Sequence, residues 1–340
     1  MKGRQIVLDH LNGADAAALM VDGQLEDLFL DSDAPRPGAI YRAIADRPVK
    51  GQGGMFLRTP DGPAFLRQVK GLAPGDRLLV QVTGYAEPGK ALPVTLKLLF
   101  KSRHAIVTPG APGLNVSRRI RDEAVRDTLL EIGHEAMAGC GMGLILRSSC
   151  AGAAEADIAD DIAAMRELAQ KVMADDAGEA EKLTEGDGPH DLAWREWTDP
   201  AEVETRPGGF ERLGVRDAIE ALQRPDVALK GGGRVFIEPT RALVAVDVNT
   251  AGDTSPAAGL KANLAAARDL PRQLRLRGLG GQITLDLAPM TKKDRRQVET
   301  ALRAAFRADL TETALVGWTP LGHYELQRKR DRVALSEVLT

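Results

Sequence analysis

The stretch LVAVDVNT, residues 243–250, carries an aspartate and an asparagine in the middle of what otherwise reads as a buried strand. Side chains alternate between the faces of a strand, so Val244, Val246 and Val248 share one side while Ala245, Asp247 and Asn249 share the other. A carboxylate on so apolar a strand is costly unless it is hydrogen-bonded, paired or bound to a cation. Two readings follow. Either Asp247 caps the next turn, since Thr-Ala-Gly-Asp at 250–253 is turn chemistry, or it works with a second acidic group on a ligand.

A second stretch poses the same question. In QITLDLAPM, residues 282–290, Ile283, Leu285 and Leu287 share one face and leave Thr284 and Asp286 on the other. If the two strands are neighbours, their aspartates converge at one edge of a sheet. Two carboxylates within reach repel unless a cation lies between them or one is protonated. Oxygen ligands suit Mg2+ or Mn2+, and a hard cation held by one or two carboxylates keeps open positions for substrate oxygens. Such a centre suits phosphodiester chemistry, with Asn249 orienting an aspartate or donating a hydrogen bond to the phosphate. Two independent turn-capping aspartates are the alternative.

Around these strands the C-terminal third is regular. VRDAIEALQ reads as a helix, and RVFIE and ALVAVDVN as two strands joined by PTR. ANLAAARDLPRQLRLRG reads as a helix with Leu264, Ala267 and Leu274 on its core side and a kink at Pro271. KKDRRQVETALRAAFRADL gives another helix and LVGWTP the last strand. Upstream, RQIVLDHL and AAALMVDGQLEDLFLD suggest two or three strands, with Asp22-Gly23 as a hairpin turn. A boundary falls at DSDAPRPGAI. Residues 39 to about 100 then give AIYRAIAD, GMFLRT, AFLRQV, RLLVQVTGY and LPVTLKLLF, separated by turns such as GQGG and PDGP. Short strands at that spacing suggest a small barrel of the oligonucleotide-binding type. From 101 to 153 strand and helix mix, with Ser117 as the cap of a helix whose first turn holds Arg118 and Arg119. The dipole disfavours cations there, a placement that hints at a phosphate partner. Helix dominates 154–175, and 176–210 mixes loop with short strands.

Composition bounds the function. The 340 residues suffice for two or three compact units, and 44% apolar with 27% charged residues is ordinary for a globular protein. Aromatics are scarce at 4%, so the cores are built from Ala, Leu and Val. No apolar run reaches the roughly 18 residues of a spanning helix, and MKGRQIVLDH lacks a signal peptide's hydrophobic region. A cytoplasmic location without membrane contact is expected. Cys140 and Cys150 are too few for a four-cysteine zinc site and read as small core residues. The net charge of -3 is uneven: acidic residues lead by about eleven in 151–206, basic ones by about five from 270 onward. RQLRLRG (272–278), TKKDRR (291–296) and QRKRDR (327–332) are either phosphate-binding clusters or solvated helix faces.

VAVDVNT, ANLAAARDLPRQLRLRGLGGQITLDL and the following M-T-x-x-x-R-x-x-V together resemble the catalytic core of the ribonuclease E/G family, single-strand endoribonucleases of bacterial RNA processing. The likeness continues through GLNVSRRI and GMGLILRSS. It implies an α/β fold of several subdomains: an S1-like OB barrel inserted in a ribonuclease H-like fold, followed by a deoxyribonuclease I-like catalytic subdomain. The implied boundaries are 1–38 and 176–233 for the ribonuclease H-like part and its connection, 39–100 for the barrel, 101–175 for a 5′-sensor-like region and 234–340 for the catalytic subdomain. By the same resemblance the metal aspartates fall on Asp247 and Asp286, and the catalytic asparagine on Asn249. RNA contacts of the barrel fall on Phe65 and Lys90, and a pocket for the RNA's 5′-monophosphate on Arg147 and Ser148; Arg118 and Arg119 join the RNA-binding set through their helix position alone. Read on their own, Phe65 fits a core position and Arg147 a surface salt bridge equally well.

The resemblance thus implies a Mg2+-dependent (or Mn2+-dependent) endoribonuclease cleaving single-stranded RNA to 5′-phosphate and 3′-hydroxyl ends. Departures also stand out. Thr313 takes the place of a basic residue of the sensor pocket, Pro289 replaces an acidic residue near the second aspartate, and no C-P-x-C motif precedes Thr340. Zinc is therefore not expected, and an oligomer would not be zinc-linked. The alternative is an RNA-binding or regulatory relative with little or no nuclease activity.

Overall fold

The computed structural model describes residues 3–49, 53–250, 252–253 and 255–339. Gly51 and Gln52 of the GQGG turn, Ala251 of the turn after Asn249, and Thr340 lie outside the described residues. The chain divides into two compact units, Met1–Ser32 with Ala201–Thr340, and Asp33–Pro200 between them in sequence.

The first unit opens with an antiparallel meander, β1 (Arg4–Leu11), β2 (Ala14–Val21) and β3 (Gln24–Leu30). Asn12-Gly13 and Asp22-Gly23 make its two turns, and all four residues have positive φ, as two-residue type I′ hairpins demand.

In the second unit β4 (Ile40–Val49), β5 (Gly54–Thr59), β6 (Gly62–Leu66), β7 (Arg77–Val82) and β8 (Leu92–Thr95) run in the order β4-β5-β6-β8-β7, and β7 pairs back onto β4. The sheet therefore closes into a five-stranded barrel, consistent with an OB-like fold. Tyr41, Ala43, Leu57, Ala64 and Val80 fill its interior. Closure leaves only the outward residues to meet a ligand.

After the barrel, β9 (Phe100–Lys101), β10 (Ala105–Thr108), β11 (Leu114–Val116) and, beyond α1 (Glu123–Ala136), β12 (Gly143–Leu146) form a sheet in the order β11-β12-β10-β9. The helices α1 and α2 (Glu155–Ala174) share a core with it around Val107, Leu129, Leu144, Leu146 and Ile162. The first of these helices starts later than its sequence suggests. Asp122 is its cap, accepting from the Val125 N–H, because a carboxylate suits the positive helix end better than the two arginines would. Arg118 and Arg119 are thus exposed loop residues ahead of the helix, and the helix dipole does not act on them as on a first turn. A strand β13 (Glu181–Thr184) returns to the barrel beside β4, and α3 (Pro189–Glu196) closes the unit.

The chain re-enters the first unit through β14 (Glu202–Glu204), parallel to β1, and the helices α4 (Gly209–Arg212) and α5 (Val215–Leu222). Then follow β15 (Asp226–Ala228), β16 (Arg234–Pro239), β17 (Val244–Asn249), α6 (Pro256–Leu276), β18 (Gly281–Asp286), α7 (Lys292–Ala308), β19 (Thr313–Trp318), β20 (Tyr324–Arg328) and α8 (Leu335–Val338). The six strands make one sheet in the order β15-β16-β17-β18-β20-β19. Only β17 and β18 are parallel, and α6 is the crossover that a parallel pair requires. That helix continues through Pro271 as one element, with Ala266, Ala267, Leu270 and Leu274 in the core. Val298, Leu302 and Phe306 of α7 join the same core, so helices cover one face of the sheet.

Two of the three basic clusters prove to be internal. Arg275 pairs with Glu26 and Asp309, and Arg272 donates to the Leu25 carbonyl. Arg328 pairs with Asp309 at 2.6 Å with both side chains almost fully buried. Arg332 pairs with Asp27 at 3.1 Å and lies over the Phe29 ring. These arginines fasten the N-terminal meander to the C-terminal sheet, so neither a solvated face nor a phosphate field describes them. YELQR is a strand for the same reason: Tyr324, Leu326 and Arg328 all point inward, and a buried arginine disguises the apolar alternation. Lys292, Lys293 and Arg296 of the third cluster remain exposed.

Candidate functional site

The face of the six-stranded sheet away from α6 and α7 carries the polar side chains of the two strands first considered. Val244, Val246, Val248, Ile283 and Leu285 are in the core, whereas Asp247, Asn249 and Asp286 are exposed. The parallel register places Asp247 directly opposite Asp286. Neighbouring strands lie about 4.7–4.9 Å apart, so the two carboxylates share one patch at the carboxyl ends of parallel strands, where α/β sheets commonly bind ligands.

Among the described residues, neither carboxylate accepts a backbone hydrogen bond. Asp247 Oδ2 accepts from Asn249 Nδ2 at 2.7 Å, a bond that fixes its rotamer without neutralising it. Asp286, 69% exposed, has the His323 imidazole Nε2 at 3.8 Å. Among the described residues, no N–H other than that of the Asn249 side chain donates to either aspartate. The described residues contain no cluster of three or more His, Cys, Asp or Glu able to hold a metal. An ion here would have two carboxylates and otherwise water or substrate oxygens, the donor set that Mg2+ tolerates.

The scaffold behind the pair holds it from two sides. Asn263 of α6 is completely buried, and its side-chain amide donates to the Ala288 carbonyl and accepts from the Ala288 N–H, both at 2.9 Å. It thereby clamps the backbone two residues beyond Asp286. Gly259 lets α6 approach the same loop, since a Cβ there would sit 2.4 Å from the Pro289 carbonyl oxygen. On the other strand, Gly233 has φ +91, and a Cβ would come within 2.5 Å of the Asn249 carbonyl oxygen. Asn263 and His323 were not recognisable as site residues from sequence. The one signal was an asparagine among alanines on the buried side of a helix; His323 becomes a neighbour only through the pairing of β18 with β20.

On the barrel, Phe65 is half-buried rather than core. Its ring lies 5.3 Å from that of Phe56, and the Arg47 guanidinium stands 5.0 Å above Phe56. The register aligns Arg47, Phe56, Phe65 and Pro93 across four successive strands, a continuous outward row. Phe56 was missed because GMFLRT alone does not say which side faces in. Lys90 is exposed and pairs with Glu87 at 2.5 Å.

Arg147 ends β12 and turns toward α3. Its Nη2 donates to Glu196 Oε2 at 2.6 Å and its Nη1 to the Ser102 and Arg195 carbonyls. Burial pushes the Glu196 carboxyl up, but Arg147 and Arg195 outweigh it and leave the group below the ordinary glutamate range. Ser148 opens a 3-10 turn beside it and is half-buried. The Thr313 hydroxyl accepts from Arg328 at 2.8 Å.

No helix among the described residues is long and apolar enough to cross a membrane. The sequence profile of the Ribonuclease E/G family matches residues 100–193 and 199–331, which include Arg147, Asp247, Asn249 and Asp286. Ribonuclease G of Escherichia coli is 30% identical over 402 aligned positions, which cover 98% of this chain and 81% of that protein. Ribonuclease E of a Nostoc species is 27% identical over 378 positions, covering 92% of this chain and 54% of that protein. The chain therefore spans about half the length of that ribonuclease E. With two thirds of its residues inside the family's profile, the chain belongs to the ribonuclease E/G family.

Proposed function

We propose that the chain is a divalent-metal-dependent endoribonuclease that cleaves single-stranded RNA to 5′-phosphate and 3′-hydroxyl ends. The observation that carries this reading is the register pair Asp247 and Asp286: two exposed carboxylates side by side, with no backbone hydrogen bond to either among the described residues, facing a substrate that is itself a polyanion. Two uncompensated negative charges gain nothing from meeting RNA unless a cation joins them. Asp247 and Asp286 would each give an oxygen to Mg2+ or Mn2+, and Asn249 would hold the Asp247 carboxylate in its ligating rotamer. Bound there, the metal supplies polarisation of a phosphoryl oxygen and acidification of a water. The exposed Lys292, Lys293 and Arg296 would bind RNA phosphates, and the Arg47, Phe56 and Phe65 row would stack bases, as aromatics on OB barrels do.

In this reading the six-stranded sheet with α6 and α7 is the deoxyribonuclease I-like subdomain, and the N-terminal meander belongs to the ribonuclease H-like part. The reaction would run in the cytoplasm, in RNA processing or decay. Arg147 would serve 5′-phosphate recognition only after giving up Glu196, so sensing of the 5′ end would be weak.

A fluorescent AU-rich single-stranded RNA provides the test. Cleavage should need Mg2+ or Mn2+ and fall about 10^3-fold in Asp286→Asn, the scale of several kcal/mol of lost transition-state stabilisation, with RNA affinity retained. Wild-type protein that binds this RNA yet leaves it intact with either metal would instead support an RNA-binding relative without turnover.

A further inference from the structure

Trp194 is the most exposed aromatic among the described residues, 66% accessible in a chain where aromatics are scarce. It is not loosely placed. The guanidinium of Arg103 stacks on its ring, 4.1 Å from the centroid, and donates a hydrogen bond to the Trp194 carbonyl. From below, Arg147 grips the next two residues of α3, through the Arg195 carbonyl and the Glu196 carboxylate. The last turn of the short helix is therefore fixed from two sides while most of the indole stays exposed.

Charge around the ring is unequally shared. Arg147 is neutralised by Glu196, and Arg195 by Asp187 and Glu196. Arg103 has no carboxylate within ion-pair distance among the described residues. Partial burial and the adjacent Arg147 push its pKa down, and the field of Asp161 offsets this only in part. A fixed, exposed indole beside a guanidinium that has no ion-pair partner among the described residues matches a nucleotide: an aromatic face for the base and a cation for its phosphate.

We propose that Trp194 and Arg103 form a nucleotide-stacking subsite for single-stranded RNA, separate in its residues from the Phe56 and Phe65 row of the barrel. The inference rests on the proposed RNA substrate and names a second place where the chain holds it. The segment that supplies Trp194 is acid-rich, so the local field does not draw RNA in. Affinity at this subsite comes from stacking, with one phosphate contact added.

The test uses full-length protein carrying Asp286→Asn, which prevents cleavage, and a fluorescein-labelled twelve-nucleotide AU-rich RNA. Trp194→Ala should weaken binding roughly 5- to 150-fold, the span measured for loss of one stacked base. Arg103→Met should lower the slope of log affinity against log salt by about 0.7, one single-strand phosphate contact. RNA should quench tryptophan emission, and Trp194→Phe should abolish that quenching, since Trp197 is buried and Trp318 is half-buried beneath Arg295. Thermal melts should be unchanged for Trp194→Ala, whose ring is mostly in solvent.

Wild-type protein that fails to bind the RNA would defeat the functional proposal itself. Normal binding with undiminished affinity and quenching in Trp194→Ala would overturn the subsite alone. Sedimentation showing that Trp194→Ala dissociates a dimer while RNA affinity is unchanged would make the ring a protein contact and likewise reject it.

Discussion

Two groups of aspartates in one compact unit have opposite fates. Asp309 and Asp27 are buried and enclosed by arginines: Arg275 and Arg328 on the first, Arg332 on the second. Asp247 and Asp286 stand side by side on an open sheet face with one amide and one distant imidazole between them. The first group is complete within the fold. The second is incomplete until something cationic arrives. Residue type does not distinguish them; satisfaction does, and the same contrast separates Arg147, closed by Glu196, from Arg103, which stacks on Trp194 and has no ion-pair partner among the described residues.

The contrast makes opposite demands on substitution. Asp286→Asn should remove cleavage almost entirely while leaving the urea midpoint unchanged or slightly raised, because it relieves repulsion between neighbouring carboxylates. Asp309→Asn should do the reverse, costing about 3–5 kcal/mol of stability by stranding buried guanidinium groups, measured by urea unfolding. Equal loss of stability in both variants would erase the distinction between a structural and a ligand-seeking pair.

Asn263→Ala tests whether the site depends on its scaffold. Unsatisfied backbone groups at Ala288 should cost about 1–3 kcal/mol, and displacement of Asp286 should raise the Mg2+ needed for half-maximal cleavage about 10–100-fold, the usual effect of losing an outer-shell support. A variant with lowered stability but unaltered metal dependence would reduce Asn263 to a packing residue.

The smallest expected effect concerns Arg147 and Glu196. Because the Glu196 carboxyl lies below its unfolded value in the folded protein, the stability it lends α3 is complete above the ordinary glutamate range, about pH 4.3. That stability should fade as pH drops through the depressed folded value. Tryptophan emission followed during acidification should report release of α3 in wild type, and Glu196→Gln should remove that dependence. An identical acid transition in both proteins would place the titrating group elsewhere.

Local pattern foretold much of this. Type I′ turns at Asp22-Gly23, the five barrel strands, and the α6 and α7 helices all follow from short-range rules of turn chemistry and periodicity. Three elements did not. The start of α1 moved to Asp122 because a cap competes with helix propensity over a few residues. The strand β20 is disguised by one buried arginine, Arg328. Phe65 is half-buried rather than core because its ring lies against Gly54, 2.4 Å from where a Cβ would stand.

What the sequence alone determined was facing: alternation puts Asp247 with Asn249 and Asp286 with Thr284, whatever the strands pair with. It could not determine neighbours. That β17 lies against β18 in register, that β20 enters between β18 and β19 and brings His323 to Asp286, and which arginines find carboxylates are all settled by pairings distant in the chain. Side-chain direction is a property of each residue's own backbone, whereas charge compensation depends on partners that only the packed fold brings within reach.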